Sequence, residues 1–298
     1  KNLVFKWNAD DSQRLIELQT GLVQGIDQPN PQDYPTVIKE PDLVWLKRPP
    51  LSVSFIGMNN AYPPFDNQYI RQAIALGLDR QAILQENFPA GYQLASHFTP
   101  CVIPNGCVGE AWYSYDPEQA RTLLADEGYP NGFQTQIAYR DVLRGYLPHP
   151  ANVAKAIQAQ LKANLNIDAR LIPINSEEYY QAVDDGLLPG LFLLGWGADY
   201  PDVSDFMDTH FGSRASKMFG KPYIKILQPL DQAFHIFGEE VRKPLYEAAN
   251  NAVHEQVPVI PIVHGAWIIP EGLAAVFSRS VQGAHVSPFG FEQFSDTT

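Results

Sequence analysis

The chain has 298 residues, of which 45% are hydrophobic and 18% are charged, a mixture typical of a globular protein with one large domain or two. Its 33 acidic and 21 basic residues give a formal net charge of −12, which argues against a nucleic-acid or anionic-membrane partner, since both call for a basic surface. No apolar run approaches the roughly 18 residues of a transmembrane helix.

The segment up to residue 97 is predicted to contain two helices and several short strands. Asp10 is a suitable N-cap for the first helix, whose apolar residues recur at helical spacing. A turn at residues 63–67 begins the second helix, which continues to Leu84. Within it, Arg71 and Arg80 are expected to be exposed or paired charges. The predicted strands lie at residues 3–7, 26–27, 43–46 and 53–58.

The two cysteines, Cys101 and Cys107, flank a Pro-Asn-Gly turn that brings them close together. Their spacing fits neither a thioredoxin-like motif nor a zinc site. A small disulfide loop is therefore the preferred interpretation, and it implies an oxidising compartment. Two unpaired buried thiols are the alternative.

Beyond the cysteine loop, helices and strands alternate in the manner of an α/β unit. Asp116 caps a helix that ends at Gly128, and Ser176 caps another that ends at Gly186. The other predicted elements are strands at 133–139, 168–174, 191–194 and 259–263, a helix through Val153, Ile157 and Leu161, a late helix over 242–255 despite Pro244, and a tail at 264–298 with little helical character.

The stretch at residues 191–202 carries the clearest functional signal. Its apolar run ends at a turn containing Trp196, and Asp199 follows before a helix that Pro201 opens. This order places an indole and a carboxylate at the carboxyl end of a strand, which is where ligands bind in open α/β sheets. Asp199 has no cationic neighbour in the sequence, so it is a candidate ligand-binding group.

The same residues admit other interpretations. Asp202 and Asp205 lie in the first turn of the predicted helix, where carboxylates complement the helix dipole, and Trp196 could be a core residue. A metal site or glycosidase pair with Asp199 is conceivable, but Pro201 breaks the helical spacing. No metalloprotease motif, nucleophile elbow, phosphate loop or complete dinucleotide fingerprint occurs, so neither a metal nor a cofactor is expected.

Several short stretches occur in a characteristic order along most of the chain. They are Asn59 with Pro63-Pro64-Phe65-Asp66; Ile70-Arg71-Gln72-Ala73-Ile74; Leu78-Asp79-Arg80; Tyr115-Asp116-Pro117-Glu118; Gly195-Trp196 with Ala198-Asp199-Tyr200-Pro201-Asp202; Arg242 with Leu245-Tyr246; and Pro258 with Ile260-Pro261. In this order they resemble the extracytoplasmic solute-binding proteins of the peptide/nickel ABC-transporter family, which includes oligopeptide- and dipeptide-binding proteins.

The resemblance implies an α/β fold of the two-lobed, type II periplasmic-binding-protein class, of which this chain is the carboxy-terminal portion. Residues 1–97 would form the later part of lobe I, 98–263 would form lobe II, and 264–298 would return into lobe I. A preceding stretch with the first strands of lobe I is expected outside this sequence. The implied location is periplasmic or extracellular, with a lipid anchor on that preceding stretch as one form of attachment.

The resemblance also implies roles for individual residues. In peptide-binding relatives, the Asp of the Gly-Trp-x-x-Asp stretch receives the ligand's α-ammonium group, and Asp199 occupies this position. A charge-assisted bond of this kind is roughly twice as strong as a neutral one. Trp196 would cover the ligand, and Arg140, with Arg144 and His149 as other candidates, would receive its carboxylate. The remaining residues expected to line the site are Gly195, Gly197, Ala198, Tyr200 and Asn59.

By this resemblance, the protein is not an enzyme: it closes two lobes on a peptide-like solute and presents it to the permease subunits of an ABC transporter. A sugar or a metal chelate is an alternative cargo, because Trp196 and Tyr200 could stack on a sugar. A hydrolase that uses Asp199 with Asp202 or Asp205 is a second alternative, although no nucleophile–base pair is visible. A third alternative is that this chain is a truncated piece that folds but binds poorly, because missing strands leave sheet edges unpaired.

Overall fold

The computed structural model describes residues 51–265, apart from Ala90, and several flanking stretches. The flanking parts are residues 10–27 and 39–47, the strands at 273–278, 284–286 and 292–294, and the single residues Val4, Lys6, Asp33 and Val37. Apart from Val4 and Lys6, the strand predicted at residues 3–7 lies outside the described residues.

Helices and strands alternate along most of the described chain, which confirms the predicted α/β class. The helices in this part of the chain are α1 Asp11–Gln19, α2 Gln68–Gly77, α3 Arg80–Asn87, α4 Pro117–Asp126, α5 Pro150–Leu165, α6 Ser176–Asp184, α7 Val203–Phe211, α8 Ile224–Phe234 and α9 Glu239–Gln256. The strands are β1 Gly25–Asp27, β2 Leu43–Lys47, β3 Ser52–Met58, β4 Gln93–Leu94, β5 Gln134–Tyr139, β6 Asp168–Pro173, β7 Leu191–Gly197, β8 Val259–Gly265, β9 Leu273–Ser278, β10 Ala284–Val286 and β11 Glu292–Phe294.

A mixed sheet of six strands, in the order β4-β8-β3-β7-β5-β6, organises residues 51–265. β3 lies antiparallel between β7 and β8, whereas β5 runs parallel to both β6 and β7. Every residue of β3 and β8 is buried, as a nearly continuous apolar run predicts for a strand covered on both faces. β7 is buried from Leu191 to Gly195 and becomes half-buried at Trp196 and Gly197, so its carboxyl end reaches the surface.

Side-chain caps define where several helices begin. Asp116 accepts a hydrogen bond from the Gln119 N–H at 2.9 Å at the start of α4, as predicted. At α6 the cap is Asn175, which accepts from the Glu177 N–H. The predicted cap Ser176 is instead the first helical residue, so that prediction was wrong by one position.

The single helix predicted from residue 68 to Leu84 is in fact two helices. α2 ends at Gly77, Leu78 is extended, and Asp79 caps α3 by accepting from the Ala82 N–H at 2.9 Å. A side chain at Gly77 would lie 2.7 Å from Cδ1 of Leu165 on α5. The glycine therefore permits close packing of two helices at the point where the chain breaks.

Arg71 and Arg80 are buried, at 1% and 6% exposure, which corrects the prediction that they are exposed or paired with acids. Both guanidinium groups donate to backbone carbonyls of distant segments instead, and such a planar group with five donors suits this purpose. The acceptors are the carbonyls of Phe65, Gln256 and Val257 for Arg71, and those of Ala95, Tyr113 and Pro261 for Arg80.

A smaller sheet in the order β1-β9-β2 has its own apolar cluster. The cluster of the large sheet draws its residues from Leu51 to Val263. The predicted lobe boundary at residue 97 therefore cuts through one sheet, because β3 pairs with β7 and β8 on its two sides. The two sheets separate near residue 50 and between residues 265 and 273, and the assignment of lobes stays a prediction.

Five described elements have no counterpart among the predicted ones: α8, β4, and the three strands β9, β10 and β11 in the predicted tail. α8 buries Ile226, Leu230 and Ala233 at helical spacing around Pro229, so its signal is present in the sequence. β4 is a two-residue strand that pairs with the edge of β8. None of the helices in the described part of the chain has the length and apolar character needed to cross a bilayer.

Cys101 and Cys107 form a disulfide, with their Cα atoms 4.9 Å apart. The loop that they close packs against α9, where Asn105 Nδ2 donates to Glu239 O at 2.9 Å and Asn250 Nδ2 donates to Val108 O at 2.9 Å. His97 lies close enough to the two sulfurs to complete a three-ligand group, but in this structure the sulfurs are bonded to each other.

Reduction of this disulfide is expected to lower the free energy of unfolding by about 2 kcal/mol, since closing so short a loop removes only a modest chain entropy from the unfolded state. Urea denaturation with and without dithiothreitol measures the change. The double variant Cys101→Ser/Cys107→Ser should start from the lower stability and show no response to dithiothreitol. An equal response of this variant and the wild type would contradict the assignment.

Candidate functional site

The turn after β7 lies where the chain enters and leaves the large sheet. In the register of the sheet, Gly197 at the end of β7 faces Ser52 at the start of β3, and Ser52 faces Gly265 at the end of β8. The Ala198 N–H then donates to Leu51 O at 2.9 Å. The turn is thus placed beside Leu51 and Ser52, at the same end of the sheet as Gly265.

The residues that follow Gly197 are accessible. Ala198 is half-buried, Asp199 is exposed, and Tyr200 is 46% exposed. Within the described part of the chain, no ion pair reaches the Asp199 carboxylate. This carboxylate can therefore accept a positively charged group from outside.

Asp205, in the first helical turn of α7, stabilises the turn after β7 through hydrogen bonds. Its Oδ2 accepts the Asp199 N–H at 2.9 Å and the Trp196 Nε1–H at 3.3 Å. Asp205 is only 2% exposed, and this burial raises the pKa of its carboxyl to about 6, although the two N–H donors act in the opposite direction. One buried oxygen therefore positions both the indole and the backbone of Asp199.

The half-buried Trp196 ring rests edge-to-face on His210, with ring centroids 5.4 Å apart. His210 Nδ1 lies 2.7 Å from Phe206 O, which it can reach as a donor. Complete burial lowers the pKa of His210 to about 4, so the imidazole is neutral near pH 7. One edge of the indole is thus fixed by the core, and the accessible part is left to contact a ligand.

Asp202 joins the site turn to α9. It caps α7 by accepting from the Ser204 N–H at 3.0 Å, and its two oxygens accept from Arg242 at 3.1 and 2.6 Å. Burial would raise the pKa of Asp202, but the hydrogen bonds from Arg242 and Ser204 outweigh it and lower the pKa. Such a bidentate pair is geometrically specific, and it occupies the Asp202 carboxylate internally.

Gly195 lets the loop after β5 lie on β7. A Cβ atom at Gly195 would overlap the Tyr146 ring and approach Val53 O to 2.6 Å. Only glycine allows the ring to cover the strand this closely. Tyr146 thereby brings the loop at residues 140–149 next to the turn that carries Trp196.

This loop contributes an arginine–tyrosine cluster, consisting of Arg140, Arg144, Tyr146 and Tyr180. Arg140 donates to the Tyr180 hydroxyl at 2.6 Å, and its guanidinium carbon lies 4.9 Å from the centre of that ring. Burial would raise the pKa of Tyr180, but hydrogen bonds to Tyr146 and Arg144 lower it overall. Because β5 and β7 are parallel, Arg140 directly after β5 lies at the same sheet edge as the turn after β7.

Asn59 lies elsewhere. It follows the end of β3 that faces Leu191, the opposite end from the Trp196 turn. Its side chain is 1% exposed, donates to Gly186 O at 2.6 Å, and accepts from the Ala61 N–H at 3.2 Å. The antiparallel pairing of β3 and β7 thus separates Asn59 from the other predicted site residues, and its position does not support contact with the same ligand.

The sequence predicts Asp205 only as a residue that complements the helix dipole, and it gives Tyr146, Tyr180 and Arg242 no place in the site. The helical pattern signalled the position of Asp205, but not the direction of its side chain. Tyr146 and Arg242 are separated in the chain from their partners Gly195 and Asp202, so no local pattern pairs them. The site that results offers a carboxylate, a partly accessible indole and a cationic cluster at one sheet edge.

A mixed α/β sheet that presents this set of groups at the end of a central strand has the architecture of one half of a two-lobed solute-binding protein. Residues 1–218 match the family described as "Bacterial extracellular solute-binding proteins, family 5 Middle". The chain belongs to this family.

Relatives of known name agree with the family. The chain is 30% identical over 298 residues to "Heme-binding protein A" of Haemophilus influenzae, covering 98% of this chain and 52% of that protein. It is 27% identical to the "Dipeptide-binding protein" of Escherichia coli, covering 99% of this chain and 55% of that protein. The chain therefore spans about half the length of these relatives.

Solved structures show the same fold. HbpA2 from Haemophilus parasuis superposes with a TM-score of 0.83 at 26% identity, over 98% of this chain and 57% of that one. The dipeptide-binding protein of Pseudoalteromonas sp. SM9913, solved in complex with Met-Leu, superposes with a TM-score of 0.72 at 22% identity, over 96% of this chain and 56% of that one.

Proposed function

We propose that the chain forms the ligand-gripping half of an extracytoplasmic solute-binding protein that closes two lobes on a short peptide and delivers it to an ABC importer. The observation that carries the proposal is that the exposed Asp199 and the half-buried Trp196 are held together at the end of β7, because the Asp199 N–H and the Trp196 Nε1–H donate to the same oxygen of Asp205. An ammonium group that meets this carboxylate as the lobes close would form a charge-assisted hydrogen bond in a site shielded from water.

Opposite charges at one sheet edge match the two ends of a peptide zwitterion. Asp199 would receive the α-ammonium group, and Arg140 or Arg144 of the arginine–tyrosine cluster would receive the carboxylate. Trp196 and Tyr200 would cover the ligand, and the half-buried Gly197 and Ala198 would lie along it. Gly195, which the sequence predicted to line the site, is buried under the Tyr146 ring and is left out of this contact. Main-chain hydrogen bonds of this kind provide affinity that is independent of the peptide's side chains.

The division of the sheets suggests how the lobes are built. Residues 51–265 would form lobe II, and the sheet of β1, β2 and β9 would belong to lobe I together with a preceding segment. Closure of the two lobes would be absorbed by a few residues at the ends of elements between the two sheets. A location outside the cytoplasmic membrane, docking to ABC permease subunits, and attachment by a lipid on the preceding segment belong to this same proposal.

Isothermal titration calorimetry with Met-Leu, N-acetyl-Met-Leu and haem tests the proposed cargo, using the protein in its longest encoded form. Met-Leu is expected to bind, whereas N-acetyl-Met-Leu should bind at least about 10-fold more weakly, because acetylation removes the ammonium and a hydrogen bond to a charged group contributes about 1.5–3 kcal/mol. Trp196 fluorescence should change on binding, and this change should be absent in Trp196→Phe.

The matched pair of ligands separates the alternatives. Equal affinity for Met-Leu and its acetylated form would contradict the contact between Asp199 and the ammonium. Tight binding of haem without binding of Met-Leu would favour a metal chelate as cargo, the alternative that the name of the Haemophilus influenzae relative makes worth testing.

A further inference from the structure

The carboxyl of Asp205 is poised between its protonated and ionised forms. Burial, as the larger effect, and the negative charge of Asp199 favour the protonated acid, whereas N–H groups of Asp199, Trp196 and Tyr200 favour the carboxylate. From α7, the neutral His210 contacts the same indole. The N–H donors that favour the Asp205 carboxylate, and the Asp199 charge that opposes it, therefore all lie in the turn that would receive the ligand.

The other charged groups of this region interact with one another. From α9, Arg242 forms its ion pair with Asp202 at 2.6 Å. Asp208, further along α7, lies in the field of Asp202, Arg242 and Asp231, and burial raises its pKa to about 6 as well. Two carboxyls of similar pKa thus occupy one helix, and Asp205 is hydrogen-bonded to the site turn.

We propose that Asp205 is a positioning residue of the ligand site, and that it releases a proton to the solvent when a cationic ligand end reaches Asp199. This inference rests on the proposed function. A bound ammonium would neutralise the charge of Asp199 that now opposes ionisation of Asp205. The ionised carboxylate is the stronger acceptor for the indole and backbone N–H groups, so arrival of the ligand and tightening of the turn favour each other.

The direction of the pH dependence follows from this coupling. In the free protein the carboxyl of Asp205 has its pKa raised to about 6, so the folded state takes up more protons than the unfolded state between about pH 4 and pH 6, and this contribution to stability is lost as the pH rises. Ligand binding releases protons instead of taking them up, because the ligand-bound state favours the ionised carboxylate of Asp205. A cationic ligand should therefore bind more weakly as the pH falls through this range.

Linkage sets the size of the effect. The charge of Asp199 is one of the smaller causes of the raised pKa of Asp205, and burial remains when the ligand is bound. If the ammonium lowers this pKa by about one unit, about 0.4 proton is released per ligand at pH 6, and the affinity for Met-Leu should fall about fivefold from pH 7 to pH 5. A purely structural role of Asp205 would produce neither result.

Calorimetric titration of Met-Leu into the protein in its longest encoded form at pH 6, in phosphate and in MES, measures the released proton through the different ionisation heats of the two buffers. The wild type is expected to show a buffer-dependent binding enthalpy that corresponds to about 0.4 proton. Asp205→Asn, which keeps an acceptor oxygen, should bind Met-Leu with no buffer dependence and with an affinity that changes less than about twofold between pH 5 and pH 7.

Asp208→Asn is the matched control, because it removes a carboxyl of the same pKa from the same helix. It should release the same fraction of a proton as the wild type. Binding of Met-Leu by the wild type without proton release, or loss of the release in Asp208→Asn alone, would overturn the role of Asp205 and leave the proposed function standing. Absence of Met-Leu binding at every pH would overturn both. The wild-type measurement decides the question even if Asp205→Asn does not fold.

Discussion

Asp199→Asn is expected to weaken the binding of Met-Leu about 100-fold, a loss of roughly 2.7 kcal/mol. The substitution keeps the size of the side chain and removes the negative charge. Truncating one partner of a desolvated charge pair usually costs about 2–5 kcal/mol, and the lower part of this range applies because Asp199 is exposed before a ligand arrives. Calorimetry at pH 7 measures the change.

The control for this prediction is Asp126→Asn, which removes the same charge from an exposed position at the end of α4. It should leave the affinity for Met-Leu within about twofold of the wild type, since screened charges remote from a site contribute little. The affinity of Asp199→Asn for N-acetyl-Met-Leu should also resemble that of the wild type, because this ligand has no ammonium group. An unchanged affinity of Asp199→Asn for Met-Leu would refute the proposed contact.

The largest loss of stability is expected from Arg71→Ala, which should lower the free energy of unfolding by about 4 kcal/mol. Arg71 is 1% exposed and donates to Phe65 O at 2.7 Å and to Val257 O at 2.9 Å, and it also bonds to Gln256 O. Each buried carbonyl left without a donor costs about 1–3 kcal/mol. The removed side chain would in addition leave a cavity between α2 and the end of α9.

Urea denaturation measures this loss, with Arg121→Ala as the matched control. Arg121 also donates to a backbone carbonyl, that of Asn164 at 3.2 Å, but it lies exposed on α4. Its replacement should change the free energy of unfolding by less than about 0.5 kcal/mol, as is usual for surface sites. Similar losses in the two variants would show that burial of Arg71 does not stabilise the fold in the way described.

Local signals in the sequence predict the strand, turn and helix that carry the site. The apolar run before Gly195 predicts a buried strand, and β7 is that strand. Pro201 and Asp202 predict the start of a helix, and α7 begins at Val203 with Asp202 as its cap. These features depend on neighbours within a few residues, so the sequence alone is enough to identify them.

Other predictions failed where partners are distant along the chain. Arg71 and Arg80 look like surface charges by residue type, but their acceptors come from segments that only the folded chain brings together. Asn59 resembles a site residue by its place in a familiar order of motifs. The antiparallel register of β3 and β7 nevertheless places it at the far end of the sheet.

The order of apolar runs, glycines, prolines and capping residues determined the α/β class, most of the elements and the position of Asp199 and Trp196, because each of these is set by short-range backbone preferences and by hydrophobic periodicity. The direction of the Asp205 carboxylate, the contact of Tyr146 with Gly195 and the pairing of Asp202 with Arg242 became apparent only in the folded chain. These depend on strand register and on the packing of α7 against its neighbours, which join residues that no local pattern links.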